Sequence, residues 1–483
     1  MALSTLARLG FDEPEAAADD LKRLGAWPPA AAPGGARLLA DIAASAAPQL
    51  AARSLAALAA ARPDPDGFTA QLRRRLGFRR RLVPLVAASR SLGAWLAIHP
   101  EEADPLADGR RFAAPRPRDE LVAEAVATVS GHAGDPAAAW DALRRFKRRE
   151  LLRVAVRDLA GQVLVDEVAA ELADLADACL EAALVVATGE SGYDPPPVRM
   201  AVLGMGKLGG SELNYVSDID VLFCHEPISG AEPEAAARAA DRVARGVMRG
   251  LSAVTPEGTC FEVDANLRPE GRNGPLSRTL GSYLAYWDRW ALPWERQALI
   301  KVRPVAGDSE LAARFCAEAK ARVYRDPLDA ATVAEVRRMK ARVESERLPA
   351  GADPKLHLKL GPGGLADVEW TAQLLQLRTG GSHPSVRVQG TLPALEELAR
   401  SGALEAGQAD WLADAYRLCQ RIRNLAYLVA GRPVESLPTD PVALERLARA
   451  MGDPGRQRLL EDYRRATRRA RRVVDTRFWD DPG

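Results

Sequence analysis

Two aspartates, Asp218 and Asp220, begin an apolar run that ends at Phe223. Successive side chains of an extended strand alternate between its two faces, so both carboxylates are predicted to project from the same face. Carboxylates held this close repel each other, and a divalent cation would relieve the repulsion. Oxygen ligands suit Mg²⁺ or Mn²⁺, especially where substrate phosphates complete the coordination shell. The pair therefore predicts metal-dependent phosphate chemistry, with both aspartates as metal ligands.

A glycine-rich segment lies immediately before the aspartates, after a short apolar run at 200–203. Its glycines are Gly204, Gly206, Gly209 and Gly210. This order predicts a strand, a turn, a short helix and a second strand. Backbone N–H groups at the start of a helix bind anions, which predicts a nucleotide-binding site here, with phosphate on the glycine amides. Its members would be Gly206, Lys207, Gly209, Gly210 and Ser217.

Two other structures could carry this pattern. Glycines at 204, 206 and 209 after a strand are also typical of a dinucleotide-binding fold. That fold needs a full helix and an acidic residue about 20 residues later, whereas Asp218 and Asp220 follow Gly209 by nine and eleven residues. A lone Asp-x-Asp is commonly the solvated end of a strand. The glycine pair, the Ser-Asp-x-Asp and the apolar run together favour the metal and nucleotide site.

A third carboxylate is expected from a neighbouring strand when a site holds two metal ions, and it can also accept the proton of an attacking hydroxyl. Asp264 is the best candidate, because it lies in an alternating segment, 260–267, that predicts a strand. Arg268 follows and could hold a phosphate bidentately. The alternative is a buried strand with a terminal Asp–Arg pair. Lys301 and Arg303 are predicted to neutralise a triphosphate or a leaving pyrophosphate.

The elements that must position these residues are mostly helical. Leucine and alanine recur at helical spacing through the first part of the chain, until a proline run at 195–197 ends the pattern. The predicted fold class is α+β. The predicted domains are an N-terminal helical region (1–188), a core with the metal and nucleotide site (189–325), a helix and turn segment (326–389) and a C-terminal helical bundle (390–483).

Composition and charge limit the possible partners. The 483 residues are 47% apolar and 27% charged, with a net charge of +1. A charge this close to neutral predicts no recruitment by nucleic acid or by a membrane surface. The N-terminus lacks a basic segment followed by an apolar core, so neither secretion nor a membrane span is expected. Five dispersed cysteines without a C-x-x-C pair predict reduced thiols in a cytoplasmic protein.

The segment 198–226 resembles nucleotidyltransferases of the polymerase-β type. It is more closely similar to the glutamine synthetase adenylyltransferase family, whose signature reads much like the GMGKLGGSELNYVSDID found at 204–220. Three further motifs follow in the family's order: VDxxLRP at 263–269, WExxALxxxR at 294–303 and GGxxDVE at 363–369. The resemblance covers the chain from about residue 140 onward. It implies a central polymerase-β-like nucleotidyltransferase domain with a small mixed sheet, completed by the helix and turn segment.

The resemblance also implies further site candidates, second in rank to the three aspartates. The motif at 294–303 contributes Glu295. The GGxxDVE motif contributes Asp367 and Glu369, which could contact metal or the incoming hydroxyl, and Lys359 just before this motif could meet a phosphate. Acidic residues in the first turn of a helix also complement its dipole, so Asp367 and Glu369 have a purely structural alternative.

Members of this family resemble tandem duplications, in which one unit attaches AMP from ATP to a tyrosine hydroxyl of glutamine synthetase. The other unit removes the AMP by phosphorolysis and yields ADP, and a PII-type signal protein and glutamine set the balance. The resemblance therefore implies an adenylyltransferase that uses ATP with Mg²⁺ or Mn²⁺ and regulates nitrogen assimilation. Its protein substrate would be glutamine synthetase and its regulator a PII-type protein.

The direction of the reaction stays open at the level of sequence. The segment 359–364 is closer to the removing unit of the family, and 366–369 is closer to the transferring unit. One catalytic stretch is present, so the chain corresponds to a separated half, a truncated form or a natural single-unit member. Two alternatives of other classes are a nucleotidyltransferase that acts on RNA or a small molecule, and a non-catalytic module that senses nucleotide or PII protein.

Overall fold

The computed structural model describes residues 2–161, 163–325 and 328–480. Within these ranges the chain is mostly helical with one small mixed sheet, so the predicted α+β fold class is confirmed. The predicted start of the third domain at residue 326 lies outside the described residues, as do the outer ends of the first and fourth domains at 1 and 483. The predicted domain boundaries stay predictions.

The sheet has five strands within the described residues. They are β1 (Val198–Gly204), β2 (Ile219–Pro227), β3 (Val263–Asp264), β4 (Ser277–Thr279) and β5 (Arg303–Gly307). β1 lies between β5 and β2 and is antiparallel to both. β3 and β4 both pair with β2 in parallel, β3 at its start and β4 further along. The register of β2 and β3 sets Asp220 opposite Asp264.

Helices make up most of the rest of the described chain. The α-helices are α1 (Ala2–Arg8), α2 (Pro14–Arg23), α3 (Gly35–Ala44), α4 (Pro48–Ala61), α5 (Pro65–Arg74), α6 (Leu76–Ala88), α7 (Arg90–Ile98), α8 (Arg118–Ser130), α9 (Pro136–Leu159), α10 (Val165–Gly189), α11 (Gly206–Gly209), α12 (Pro233–Ser252), α13 (Leu280–Arg289), α14 (Pro293–Ala298), α15 (Ser309–Val323), α16 (Ala330–Arg347), α17 (Leu365–Thr379), α18 (Thr391–Arg400), α19 (Ala406–Ala430), α20 (Pro441–Met451) and α21 (Arg456–Val474). Short 3₁₀ segments lie at Pro100–Ala107, Gly109–Phe112, Gly271–Asn273, Leu299–Lys301, Pro354–Leu356 and Pro384–Val386, and a π-helical turn at Asp475–Trp479. Many helices begin at proline, because the N–H that proline lacks would have no partner in a first turn.

Alternation along β1 packs the two faces of the sheet against different helices. Val198 and Met200 lie in a small cluster with alanines of α12. Ala201 and Leu203 belong to a larger core that includes Phe315 of α15. Because side chains alternate along a strand, one β1 segment can serve both cores. The sheet is thereby held between helices, which fixes the ends of β1 and β2, where the glycines and aspartates lie.

The strand predicted over 260–267 is much shorter than expected. β3 contains two residues and ends at Asp264. Before it, the amides of Cys260 and Phe261 both donate to the Leu251 carbonyl. After it, the Asn266 amide donates to the Asp264 carboxylate over 2.6 Å. These bonds turn the chain at both ends and take the backbone groups that a longer ladder would use.

The chain forms two compact units. The first comprises Met1–Pro115, Leu151–Val168 and Cys419–Arg464, and the second comprises Arg116–Glu150, Ala169–Leu418 and Arg465–Gly483. The described part of the first unit is helical, whereas all five strands belong to the second. Every residue predicted to act at the site also lies in the second unit.

A helix that crosses a membrane must be both long and apolar. Among the described residues, no single helix combines sufficient length and apolar character. The two consecutive helices α6 and α7 reach the required length and composition only as a pair, and they are bent by 116° where they meet. Leu82, Leu85, Leu92 and Leu96 of this pair are buried.

Candidate active site

The glycine turn between β1 and β2 packs directly against one of the site carboxylates. Gly206 begins α11 with a φ of +51°. A Cβ on Gly206 would lie 2.2 Å from Oδ2 of Asp220, and a Cβ on Gly209 would lie 2.0 Å from the Lys301 carbonyl oxygen. The Met205 amide donates to the Asp220 carbonyl over 2.8 Å. Glycine is therefore required at both positions for this close approach.

The turn satisfies two of its own amides. The Gly209 amide donates to the Met205 carbonyl over 2.7 Å, and the Gly210 amide donates to the Gly206 carbonyl over 3.1 Å. Both amides were predicted to hold phosphate. In the structure they are instead used inside the turn, because each lies far enough along α11 to donate to the carbonyl four residues before it.

A second tight turn leads the chain into β2. The Ser217 hydroxyl donates to the side-chain oxygen of Asn214 over 2.9 Å, and the Ser217 amide donates to the Asn214 carbonyl over 3.2 Å. The same side-chain oxygen accepts from the Val216 amide over 3.2 Å. The Ser217 hydroxyl proton is thus engaged by Asn214, and Ser217 holds the turn that places Asp218.

Three aspartates surround the start of β2. Asp218 is exposed just before the strand, and Asp220 and Asp264 are half-buried and face each other in register. Burial, followed by the negative charges of Asp218 and Asp264, raises the pKa of Asp220 to about 7. Lys359 and Lys207 act in the opposite direction. Burial and the two neighbouring carboxylates therefore disfavour the ionised form of Asp220 more than the two lysines favour it.

A cavity of about 750 Å³ opens beside the aspartates. Its wall contains Asp218, Asp264 and Arg268. Arg268 is fixed by two backbone carbonyls: its Nη1 donates to Ala265 over 2.8 Å and its Nε to Gly274 over 3.2 Å. Three more arginines line the same cavity, Arg245, Arg249 and Arg272. A wall with both carboxylates and guanidinium groups suits a phosphate-bearing ligand accompanied by a cation.

The three aspartates fit a divalent cation by donor type and by charge. Their carboxylate oxygens are the ligands that Mg²⁺ and Mn²⁺ prefer. A cation would also offset the negative charges of Asp218 and Asp264, which after burial contribute to the raised pKa of Asp220. As placed, no group of three or more Asp, Glu, His or Cys side chains in the described ranges could hold a metal ion by itself. The carboxylates therefore supply at most part of a coordination shell.

Lys301 lies beneath the glycine turn with its ammonium group buried. Its Nζ donates to Glu212 over 2.6 Å and to the Thr391 hydroxyl over 3.3 Å. Glu212 also accepts a hydrogen bond from the Thr391 amide. Although burial alone would lower it, Glu212 and then Glu369 raise the pKa of Lys301. Lys301 was predicted to meet a triphosphate, but the structure uses it in this internal ion pair.

Arg303 is directed toward α10. Its Nη1 and Nη2 donate to the two carboxylate oxygens of Asp177 over 2.6 and 2.9 Å, and its Nε donates to the Leu208 carbonyl over 3.0 Å. Asp177 is completely buried and also accepts from Arg118 over 2.8 Å. Arg303 was predicted to neutralise phosphate, and the structure places it as a link between β5 and α10.

Glu295 holds the start of a helix. Its Oε2 accepts from the Leu292 amide over 2.8 Å, and its Oε1 accepts from the Tyr286 hydroxyl over 3.0 Å. The side chain is almost fully buried. An acidic residue at this position of α14 satisfies an amide that would otherwise lack a helical partner. The structure therefore places Glu295 as a helix cap.

Asp367, in the first turn of α17, has a structural role as a buried acceptor of hydrogen bonds. It is 1% exposed and accepts hydrogen bonds from Lys340, from the Gly363 amide over 2.6 Å and from Arg471 over 3.1 Å. Although burial alone would raise it, Lys340 lowers the pKa of Asp367. These contacts join three segments of the second unit and leave Asp367 outside the acidic cluster.

Glu369, two residues further along the same helix, lies among three lysines. Although burial alone would raise it, Lys301, Lys207 and Lys359 lower the pKa of Glu369. Its Oε1 accepts from the Tyr416 hydroxyl over 3.2 Å. Because Lys207 and Lys359 also act on the pKa of Asp220, the structure brings both of these lysines and Glu369 to the same site.

Comparison with known proteins identifies the family. Residues 79–318 match the family described as glutamate-ammonia ligase adenylyltransferase. A protein of Streptomyces avermitilis, named bifunctional glutamine synthetase adenylyltransferase/adenylyl-removing enzyme, is 43% identical over 417 residues, which are 82% of this chain and 42% of that protein. The chain belongs to the glutamate-ammonia ligase adenylyltransferase family.

Two mycobacterial proteins with the same name are similarly related. The protein of Mycobacterium leprae is 41% identical over 437 residues, which are 85% of this chain and 43% of that protein. The protein of Mycobacterium tuberculosis is 40% identical over 440 residues, which are 85% of this chain and 44% of that protein. This chain thus spans less than half the length of these members of the adenylyltransferase family. Residues 335–478 also match the family described as GlnD PII-uridylyltransferase.

Three residues of the site in this adenylyltransferase family member were not among the sequence predictions. Glu212 holds Lys301, Asn214 shapes the turn before β2, and Tyr416 bonds to Glu369. Glu212 and Asn214 lie inside the signature segment 204–220, so their position there was a usable signal. Tyr416 lies 47 residues from its partner and had no local signal.

Proposed function

We propose that the chain is a nucleotidyltransferase that moves AMP from ATP to a tyrosine hydroxyl of glutamine synthetase, and so regulates nitrogen assimilation. The observation that carries the proposal is the set of three aspartates at the start of β2, beside the glycine turn and a cavity of about 750 Å³. Family membership supports the class of reaction. The names of the relatives support glutamine synthetase as the protein substrate.

In the proposed reaction the tyrosine oxygen attacks the α-phosphorus of ATP. The bond from that phosphorus to the oxygen bridging to the β-phosphate breaks, and pyrophosphate leaves. We assign to Asp264 the role of accepting the proton of the attacking hydroxyl. The Asn266 amide holds its Oδ1 over 2.6 Å, which orients the carboxylate for this role. Holding the two reactants in position supplies much of the rate enhancement.

Positive side chains receive the phosphates in this proposal. Lys207 and Lys359 interact with Asp220, and Arg268 is held in the cavity wall by two carbonyls. These groups are placed before the reaction and would stabilise charge that develops on the leaving pyrophosphate. Glu369 interacts with both lysines, so its proposed role is to position them.

The cofactor we propose is Mg²⁺ or Mn²⁺, held by Asp218, Asp220 and Asp264. A divalent cation there would neutralise phosphate charge. A PII-type signal protein is the proposed regulator, and the match of residues 335–478 to the PII-uridylyltransferase family supports it. The five cysteines are all free thiols, which fits the proposed cytoplasmic location.

The second candidate is the reverse reaction. Inorganic phosphate would attack the adenylyl group on glutamine synthetase, the bond from phosphorus to the tyrosine oxygen would break, and ADP would leave. The names of the relatives, which include an adenylyl-removing activity, favour this candidate. The same aspartates and lysines would serve it, because the charges on the reacting phosphate are alike in both directions.

Two assays of the purified chain test the proposal and separate the candidates. In the first, the chain receives ATP labelled on the α-phosphate, Mg²⁺ and glutamine synthetase, and label on the synthetase would support transfer. A synthetase whose target tyrosine is replaced by phenylalanine is the control and should stay unlabelled.

In the second assay, adenylylated synthetase and phosphate replace the first substrates, and ADP release would identify a removing unit. Nucleotide binding without product in either assay would overturn both candidates. That result would indicate a nucleotide-sensing module in place of an enzyme.

A further inference from the structure

A second, smaller cavity of about 160 Å³ lies in the second unit. Leu299, Ile300 and Val302 form an apolar part of its wall. Lys320 and Tyr324, at and just beyond the end of α15, form a polar part. The cavity is therefore apolar on one side and rich in hydrogen-bond donors on the other. Neither the predicted chemistry nor the site at β2 uses it.

Tyr324 is the first feature that points to a ligand. The residue is 7% exposed, and its hydroxyl oxygen has no hydrogen-bond partner among residues 2–161, 163–325 and 328–480. Burial raises the pKa of Tyr324, so the hydroxyl keeps its proton and remains a donor. A buried donor without an acceptor is costly, and such groups usually have a partner such as water, an ion or a ligand. The ring is fixed as well, since a Cβ on Gly380 would lie 2.3 Å from it.

The charge of the cavity wall is the second feature. Lys320 and Arg387 line it, and no aspartate or glutamate does so among the described residues. Arg387 is anchored, because its Nε donates to the Gly380 carbonyl over 2.7 Å and its guanidinium lies 5.2 Å from the centre of the Tyr324 ring. The described part of the wall thus offers two cations and a phenol donor and no carboxylate, a combination that attracts anions and repels cations.

The wall of the cavity is also continuous with the segments that pack against the glycine turn between β1 and β2. The apolar residues flank Lys301, whose carbonyl packs against Gly209 so closely that a Cβ would lie 2.0 Å from it. Gln389, another wall residue, has its carbonyl 3.4 Å from where a Cβ on Gly210 would be. An occupant would therefore touch the two segments that support the glycine turn from below.

We propose that this cavity is a binding site for a small aliphatic carboxylate. The carboxylate accepts from the Tyr324 hydroxyl and pairs with Lys320 and Arg387, and the short aliphatic body packs on Leu299, Ile300 and Val302. This inference goes beyond the proposed adenylyl transfer, because binding here requires neither nucleotide nor protein substrate.

Binding of glutarate to the full chain, measured by titration calorimetry, tests the proposal, with sulfate as a second probe. Two variants remove donors with little change of shape, Tyr324→Phe and Lys320→Gln. Lys22→Gln, an exposed lysine of the first unit, is the matched control. Each cavity variant is expected to weaken glutarate binding about tenfold or more, since each removes a hydrogen bond to a charged group. The control is expected to bind as the wild type does.

Thermal unfolding separates loss of binding from loss of the fold. Tyr324→Phe should unfold at the wild-type temperature or above it, because the variant no longer buries an unpaired hydroxyl. Two results would overturn the proposal: absence of saturable glutarate binding to the wild type, or the same affinity in the wild type and both cavity variants. Sulfate binding at this site without glutarate binding would also overturn it and would identify an inorganic oxyanion site instead.

Discussion

At the scale of single residues, the carboxylates at the start of β2 repel one another, which fits the proposed metal site better than a role in the stability of the fold. Asp220 is half-buried with two acidic neighbours, and its pKa is raised to about 7. An uncompensated carboxylate costs free energy when it is removed from water. A pKa raised in this way is typical of functional sites, where an ion or a substrate supplies the missing positive charge.

Mn²⁺ should therefore stabilise the wild-type chain by binding to the aspartates. Binding to the folded state at about 100 times the dissociation constant adds about 2.7 kcal/mol to the free energy of unfolding. Asp220→Asn should lose this gain while it stays folded, because the substitution removes a disfavoured buried charge. Thermal unfolding with and without Mn²⁺ measures the effect.

Asp119→Asn is the control for this experiment, because the Asp119 side chain is 99% exposed. It should keep the full Mn²⁺ effect. An equal Mn²⁺ shift in Asp220→Asn and the wild type would remove Asp220 from the metal site.

Asp174 on α10 predicts a pH dependence of stability. Burial, followed by the charge of Asp177, raises the pKa of Asp174 to about 6. The folded state then holds this proton more tightly than the unfolded state, so stability present below about pH 4 is lost as the pH rises to about 6. Asp174→Asn removes that loss. Its melting temperature should therefore exceed that of the wild type more at pH 7.5 than at pH 4.5.

Exposed Asp119→Asn provides the comparison here as well, with no pH-dependent difference expected. If Asp174→Asn differs from the wild type by the same amount at both pH values, the carboxyl of Asp174 does not titrate between them in the folded chain.

At the scale of elements, the site depends on the turn between β1 and β2 lying close to the segment that precedes β5. The Gly209 position almost touches the Lys301 carbonyl, and the Lys301 ammonium reaches back to Glu212 at the end of the turn. One backbone approach and one buried ion pair thus hold the same two segments. The pairing of β1 with β2 in the sheet then fixes the position of Asp220 relative to this turn.

Gly209→Ala should destabilise the second unit by about 3 kcal/mol or more, because its Cβ would lie 2.0 Å from a backbone oxygen that cannot move freely. Gly281→Ala is the matched variant, since a Cβ there has no heavy atom within 4 Å. It lies in α13, where alanine should stabilise by about 0.5–1 kcal/mol. Chemical denaturation measures both. Equal effects of the two substitutions would refute the close approach.

Lys301→Met should cost about 3–5 kcal/mol, because it leaves the carboxylate of Glu212 buried without its ammonium partner. Lys22→Met, which breaks an exposed ion pair with Asp19, should leave stability nearly unchanged. The double variant Glu212→Leu/Lys301→Met should recover part of the loss. A cost for Lys301→Met no larger than that for Lys22→Met would show that the buried pair contributes little.

At the scale of the whole molecule, the sequence predicted what depends on neighbours along the chain. The glycine turn, β2 and the position of Asp218 and Asp220 follow from local pattern. The partners of Arg303 and Asp367 do not, because Asp177 lies 126 residues from Arg303 and Arg471 lies 104 residues from Asp367.

The same limit explains why the structural contacts of Lys301, Arg303 and Asp367 were not predicted. A charged side chain next to a motif is a reasonable candidate for binding phosphate when its distant partner is unknown. The sequence does not show that partner, and it does not show whether the side chain is buried. The extent of the chain relative to its family is also a whole-molecule property. It spans 42–44% of the length of the relatives compared.

The most direct test compares adenylyl transfer by the wild type and by Asp220→Asn under the same conditions. Purified chain, Mg²⁺, glutamine synthetase and ATP labelled on the α-phosphate are mixed, and label on the synthetase is followed over time. The account predicts label with the wild type and with Asp119→Asn, and a rate at least about 100-fold lower with Asp220→Asn. Transfer by Asp220→Asn at the wild-type rate would contradict the assignment of the site.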